Sequence, residues 1–426
     1  MSKWLHRFNT VAEYTTARND NYLEPWVSYT EENTKVNYNK SEYERLLETP
    51  LTTIAKGNGT ISFNIWKSMG TDMITSVSYS TDGGETWATT NNTNNKSGHL
   101  AITVNVNEGD RVMWKANAQQ TGYFDEDDDD YGDNIGSFFS STCEFDVEGN
   151  VMSMINDATG LTYDGQLCCL FFNYDGGTEC LVVNASKLLL PATTLANNCY
   201  DNMFWGCTSL STAPSSIGTT ATTMAASACT SMFEGCTSLT TAPELPATTL
   251  TDYCYSNMFQ GCTGLTTAPQ LPATTLAAWC YSGMFGGCTN LTTAPQLPAT
   301  TLADDCYEYM FQGCTSLTTA PSILPATILA NYCYNSMFEG CTSLTTAPEL
   351  PATTLTSRCY NSMFSYCSNL NYIKCLATDI SAINCTYRWV NGVAASGTFV
   401  KPASTDWSSK TGTSGIPEGW TVQDAS

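Results

Sequence analysis

The sequence predicts a mainly β fold with short helices. An N-terminal anchoring tail comes first, then an antiparallel β-sandwich, then a repeat solenoid of about seven 26-residue rungs with a C-terminal cap. Three observations predict it: a Met-Phe pair that returns at a nearly fixed interval, an alternation of apolar and polar residues within 49–150, and an opening segment with neither pattern.

The Met-Phe pairs start at Met203, Met232, Met258, Met284, Met310, Met337 and Met363, so the intervals are 29, 26, 26, 26, 27 and 26 residues. A period of this length means stacked units that cannot bury an apolar face singly. The clearest unit runs Leu239-Thr240-Thr241-Ala242-Pro243-Glu244-Leu245-Pro246, then Cys254-Tyr255, Met258-Phe259 and Gly261-Cys262, and restarts at Leu265. Its Leu, Cys and Met-Phe residues form the expected interior. The Leu-Thr-Thr-Ala stretch, rich in Thr and ended by Pro, predicts a short parallel strand. The Cys-Tyr to Gly-Cys stretch predicts a helical or 3₁₀ turn closed by glycine. Leu170-Phe171-Phe172 through Cys180 reads as a degenerate first rung, so the solenoid is drawn at 151–374. Beyond it, 375–426 carries Trp389, Trp407 and Trp420 among scattered glycines, a composition for an irregular cap over the last edge.

In 49–150, Ile61, Phe63 and Ile65, then Leu100, Ile102, Val104 and Val106, then Val112 and Trp114, then Phe145 and Val147 alternate with polar neighbours, as in a small Ig-like antiparallel sandwich. Residues 1–48 stand apart. Their aromatic residues Trp4, Phe8, Trp26, Tyr29 and Tyr38 lie in a polar stretch with no core of its own, the composition of a segment that orders on a partner.

Charge and composition narrow the function. Seventeen basic against forty acidic residues give a net charge of −23, which disfavours nucleic acid and anionic lipid as partners. No apolar run approaches the roughly 18 residues of a membrane helix, and no signal-type apolar stretch follows Met1, so a soluble product of the cytosol without membrane insertion is expected. The twenty cysteines are expected to be buried reduced thiols, because the repeats hold no histidine to complete a zinc site. No cofactor is expected.

Ser80-x-Asp82-x-Gly84-x-Thr86-Trp87 matches the Asp-box hairpin of sialidases, in which the aspartate binds backbone amides of a tight turn. A single copy implies a structural hairpin. Asp125, Asp127 and Asp129 form a weak calcium candidate, and a solvated acidic loop is the plainer reading. His6 and His99 have no nucleophile beside them in the sequence. The residue before the first Cys of each rung changes at every step: Asn198, Ala228, Tyr253, Trp279, Asp305, Tyr332 and Arg358. Solenoids bind through such columns, which makes Tyr253, Trp279, Asp305, Tyr332 and Arg358 the candidate ligand contacts, with drift at a solvated position as the alternative.

The order Leu-Pro, Leu, Met-Phe-x-Gly-Cys-Thr-x-Leu resembles the BspA-like leucine-rich repeats of bacterial surface proteins. That resemblance implies adhesion and the binding of protein or glycan, and brings no catalytic residues. Phe8-Asn9-Thr10, Val27-Ser28-Tyr29 and Val36-Asn37-Tyr38-Asn39 resemble virion proteins of crassvirus-like phages of gut Bacteroidales. The closing Gly415-Ile416-Pro417-Glu418-Gly419-Trp420 looks like the same group. Together they imply a non-enzymatic virion surface protein, a head fibre or tail fibre held to capsid or tail proteins through residues 1–48. Its solenoid would adhere to host envelope or gut glycans, as a homo-oligomer. A bacterial cell-surface adhesin and a glycan-degrading virion enzyme are the rival readings, the latter needing a carboxylate pair that the sequence does not locate.

Overall fold

A computed structural model describes residues 40–67, 74–91, 98–119, 121–123, 135–156, 159–173, 179–215, 217, 224–410 and 412–425. The proposed docking residues Trp4, Phe8, Trp26, Tyr29 and Tyr38, His6, and the acidic Asp125, Asp127 and Asp129 lie outside the described residues. The fold is mainly β, with one α-helix among the described residues.

That helix, α1 (Lys40–Glu48), corrects the expectation that nothing before residue 49 joins the sandwich. Tyr43 and Leu46 pack on Leu189, Arg45 pairs with Glu148 at 3.4 Å, and Lys187 pairs with Glu42 at 3.0 Å. Glu42 in the first turn and Arg45 in the last also complement the helix dipole.

Fourteen strands follow among the described residues: β1 (Thr52–Ala55), β2 (Gly59–Lys67), β3 (Ile74–Ser80), β4 (Ala88–Asn91), β5 (Gly98–Val106), β6 (Arg111–Ala118), β7 (Gly122–Tyr123), β8 (Ile135–Gly136), β9 (Phe138–Ser141), β10 (Phe145–Asn150), β11 (Val182–Leu189), β12 (Tyr372–Lys374), β13 (Thr398–Lys401) and β14 (Thr421–Asp424). One sheet has the order β11-β10-β1-β6-β3-β4, a second the order β5-β2-β9, and β7 pairs with β8. The alternation read from the sequence is the inward set: Ile61, Phe63, Val104, Val112, Trp114, Phe145 and Val147 are buried. Trp114 of β6 meets Phe139 of β9 across the sheets, edge to face at 5.4 Å.

The boundary drawn at residue 150 is not a seam. β11 lies parallel to β10, and from Asn184 parallel bridges continue to Thr212 and on to Thr241. One buried cluster runs from Leu51 to Trp420. A file of rings marks its axis: Phe139, Phe171, Phe204, Phe233, Phe259, Phe285, Phe311, Phe338 and Phe364 each stack on the next at 4.9–5.8 Å between centroids. Sandwich and repeats therefore share one core.

Within the repeats the expected strand shrinks to single parallel bridges such as Thr267 to Thr293 and Thr293 to Thr319. Nor is the Met-Phe segment helical. A left-handed residue recurs every fourth position, as at Tyr253, Asn257 and Gly261, with φ of 56°, 53° and 71°. Alternate amides are then shared out differently. Tyr255, Asn257 and Phe259 donate forward to Cys280, Ser282 and Met284 of the next repeat at 3.1, 2.8 and 2.9 Å. Ser256 and Gln260 donate back to Tyr253 and Asn257, both at 2.9 Å. A helix would spend every donor internally. Here half of them tie neighbouring repeats together.

The C-terminal residues also correct the sequence reading. Phe364 donates to the carbonyl of Trp389 at 2.8 Å and Tyr360 to that of Cys385 at 2.9 Å, as their counterparts do in earlier repeats. Trp389 thus stands where Met363 stood, and β12, β13 and β14 continue the parallel pairing. The indole at this step is buried and stacks on Tyr360 and Trp407, so the series continues without a Met-Phe pair in the sequence.

Candidate functional site

The variable column occupies a left-handed step of the repeat turn, with Tyr253 exposed and Asn198 and Asp305 buried. Asn198, Tyr253, Trp279, Asp305, Tyr332 and Arg358 all have φ between 52° and 56°. None is β-branched, as that backbone region demands. In the repeat that begins at Met224, however, the left-handed residue is Ser227, not Ala228. Cys229 there donates to the carbonyl of Cys254 at 3.0 Å, in the place that Tyr255 fills one repeat later. Counting back from the first Cys therefore missed the column by one residue, while counting from Met232 finds it.

The structure groups the candidates into pairs. Tyr253 and Trp279 stack with centroids 4.9 Å apart and planes 5° apart. Arg358 donates to the Tyr332 hydroxyl at 2.8 Å and lies over its ring at 5.2 Å. Asp305, between the pairs, departs from the expectation of an outward contact. It is only 9% exposed, and its carboxyl is pushed upward by burial, then by Asp304, while contact with Glu308 opposes this. Glu308 is pushed up to about 7, chiefly by burial, against the hydrogen bond donated by the Asn335 amide. Gln312 donates to Glu339 at 3.1 Å in the same neighbourhood. An aromatic pair, Tyr253 with Trp279, and a cation–π pair, Arg358 on Tyr332, thus flank Asp305, which lies beside the partly buried Glu308.

Glu308 and Asn335 were missed by the sequence reading. A signal existed: counting two residues before each Met gives Asp201, Thr230, Ser256, Ser282, Glu308, Asn335 and Asn361, in which only two are acidic. Asp201, the other one, is 4% exposed. Its Oδ2 accepts from the Asn202 amide at 3.1 Å, and its Oδ1 has no partner. Burial pushes it up to about 8.

All twenty cysteines are free and buried. The second thiol of each repeat ties that repeat to the one before it. Cys236, Cys262, Cys288, Cys314, Cys341 and Cys367 aim Sγ at the carbonyl of the preceding repeat's phenylalanine at 3.0–3.1 Å. Burial raises these thiols, so they act as neutral donors. The Asp-box residues form the expected hairpin. Thr86 N–H donates to Asp82 at 2.9 Å, Gly84 N–H to Ser80 at 2.9 Å, and Trp87 Nε1 to the Gly84 carbonyl at 3.1 Å. The Thr86 hydrogen bonds hold Asp82 well below the usual carboxylate range. Lys115 covers the Trp87 ring at 5.1 Å. Among the described residues no helix is long and apolar enough to cross a membrane.

No protein-family model matches the chain, and no curated protein matches it. Among solved structures it is similar to a leucine-rich repeat protein from Bacteroides ovatus, with 14% identity and a TM-score of 0.24 over 72% of this chain and 89% of that one.

Proposed function

We propose that this chain is a non-enzymatic recognition protein whose repeats form a leucine-rich-repeat-like solenoid of about seven rungs. In this reading it is a phage virion surface protein, a head fibre or a tail fibre. The segment before α1 attaches it to capsid or tail proteins, and the solenoid adheres to host envelope or gut glycans. The observation that carries the reading is the contrast between neighbouring positions. Cys254, Met258 and Phe259 and their counterparts recur fully buried, while the column beside them runs through Asn, Ser, Tyr, Trp, Asp, Tyr and Arg. A repeated interior fixes the stack, and the exposed and half-buried members of the changing column, Tyr253, Trp279, Tyr332 and Arg358, are free to meet a ligand. Aromatic rings with adjacent polar groups suit sugars and peptides. The attachment and the virion setting rest on the N-terminal resemblance. A cell-surface adhesin would use the same column on a different support.

Because the core is shared, the test uses the full chain. Host envelope preparations and a glycan panel are screened with the wild type and with Trp279→Ala and Arg358→Ala. Binding that both substitutions weaken by roughly tenfold or more supports the reading. Binding that survives both, or none on either panel, removes the column from it.

A further inference from the structure

Three of the most exposed apolar side chains crowd the last turns of the stack: Tyr366 at 53%, Ile383 at 69% and Tyr387 at 49%. Backbone bonds put them on adjacent repeats. Arg358 donates to the Ile383 carbonyl at 3.1 Å, Ser362 to that of Tyr387 at 2.9 Å, and Tyr366 to that of Asn391 at 2.6 Å. Two repeats before Tyr366, Tyr309 is 38% exposed. Tyrosine and arginine beside aliphatic groups make the composition of a protein interface.

Tyr366 carries an independent signal. At its step the repeats from Gly206 to Gly340, and Gly392 after it, have glycine with φ of 71–76°. Tyr366 holds φ of 61° there, a region that a bulky side chain enters only at a cost. Its ring lies over Gly392, where an added Cβ would come within 3.3 Å. The exposed ring does little for the interior, and strain of this kind persists where function requires it.

The same turns are divided by charge. Arg358 and exposed Arg388 have no ion pair among the described residues. Neither do the half-buried Glu308 and Glu339, which lie two and one repeats before Arg358. Repeats are spaced here by 5.8–6.2 Å, as the file of Tyr307, Tyr334, Tyr360 and Trp389 rings records.

We propose that this face is the contact between two copies of the chain, related by a two-fold axis normal to it. The axis passes between Ser336 and Ser362, the middle left-handed steps of adjacent repeats. Rotation about it reverses both the order of repeats and the order of steps along each turn. Tyr366 then falls opposite the second copy's Tyr332, Arg358 opposite its Glu339, and Arg388 with Tyr387 opposite its Glu308 and Tyr309. Each contact occurs twice, as an isologous interface requires. The acidic and basic ends meet their complements, and aromatic rings fill the centre. The contact covers Tyr332 and Arg358 and leaves Tyr253 with Trp279, in earlier repeats, open to a ligand. It does not rest on the function proposed above. In that binding screen Arg358→Ala then acts through the loss of paired sites, and Trp279→Ala acts directly.

Two chains of net charge −23 repel at a distance, so association is measured at about 0.15 M salt, where the screening length is about 8 Å. Sedimentation of the full chain over a concentration series gives the association constant, and the wild type is expected to dimerise. Tyr366→Gly restores the residue of the other repeats, so it should keep or raise thermal stability while weakening the dimer by about tenfold or more. Arg358→Glu sets two carboxylates against each other and should weaken it comparably. Adding Glu339→Arg to the same chain should restore it, because an isologous contact exchanges both members at once. Trp279→Ala should dimerise as the wild type does. The proposal is overturned if the wild type stays monomeric throughout, or if Tyr366→Gly and Arg358→Glu leave the association constant unchanged. A folded double exchange that fails to recover what Arg358→Glu removes also overturns it, and should that variant not fold, Tyr366→Gly decides.

Discussion

Replacing Asp201 by Asn removes a charge the fold cannot hydrate. The side chain is almost wholly buried, one oxygen has no partner, and its proton is retained up to about pH 8 against 3.8 for an ordinary aspartate. The folded-state pKa lies above the unfolded one, so stability is unaffected below the unfolded value and falls as pH rises towards the folded one. The span from 3.8 to about 8 is near 4 units. At about 1.4 kcal/mol per unit this sets a ceiling of roughly 6 kcal/mol, and relaxation around a buried charge reduces it to about 2–4 kcal/mol. The amide can keep the Asn202 hydrogen bond through its oxygen. Urea unfolding of wild type and Asp201→Asn at pH 4, 6 and 8 measures the effect. The curves should nearly coincide at pH 4, and the variant should gain about 2–4 kcal/mol by pH 8. A variant no more stable than the wild type at pH 8 would refute the account of Asp201 as a buried, proton-retaining acid.

Glu308→Gln should act in the same direction over a narrower range, because burial raises Glu308 only to about 7 from 4.5 and the group is partly solvated. The gain should appear between those values, stay smaller than that of Asp201→Asn, and be absent at pH 4 in the same assay. Cys288 donates to the Phe259 carbonyl at 3.1 Å, so Cys288→Ala should cost about 1–2 kcal/mol while Cys288→Ser, which keeps a donor, should cost less. Equal losses for the two variants would show that the thiol matters only as volume.

The interior of the repeats was legible in the sequence because stacking demands the same apolar residue at the same step. Leu239, Met258, Phe259 and Cys262 recur for that reason, and all are fully buried. The sandwich strands were legible through their two-residue alternation, and the Asp82 hairpin through its turn chemistry. Much of the candidate site was not. The pairing of Tyr253 with Trp279, and of Tyr332 with Arg358, depends on which repeats become neighbours, which is a tertiary fact. So does the approach of Glu308 to Asp305 and Asn335.

Sequence by itself determined the period and which side chains face inward, since both follow from the need to bury apolar surface at regular steps. It misjudged the Met-Phe segment because local pattern does not say where a backbone donor finds its acceptor. Only the assembled stack sends alternate amides to the next repeat and makes Trp389 continue a series that its residue type concealed. For the same reason the shared core between sandwich and repeats escaped notice: β11 closes one unit and opens the other, and only its partners on either side reveal both roles.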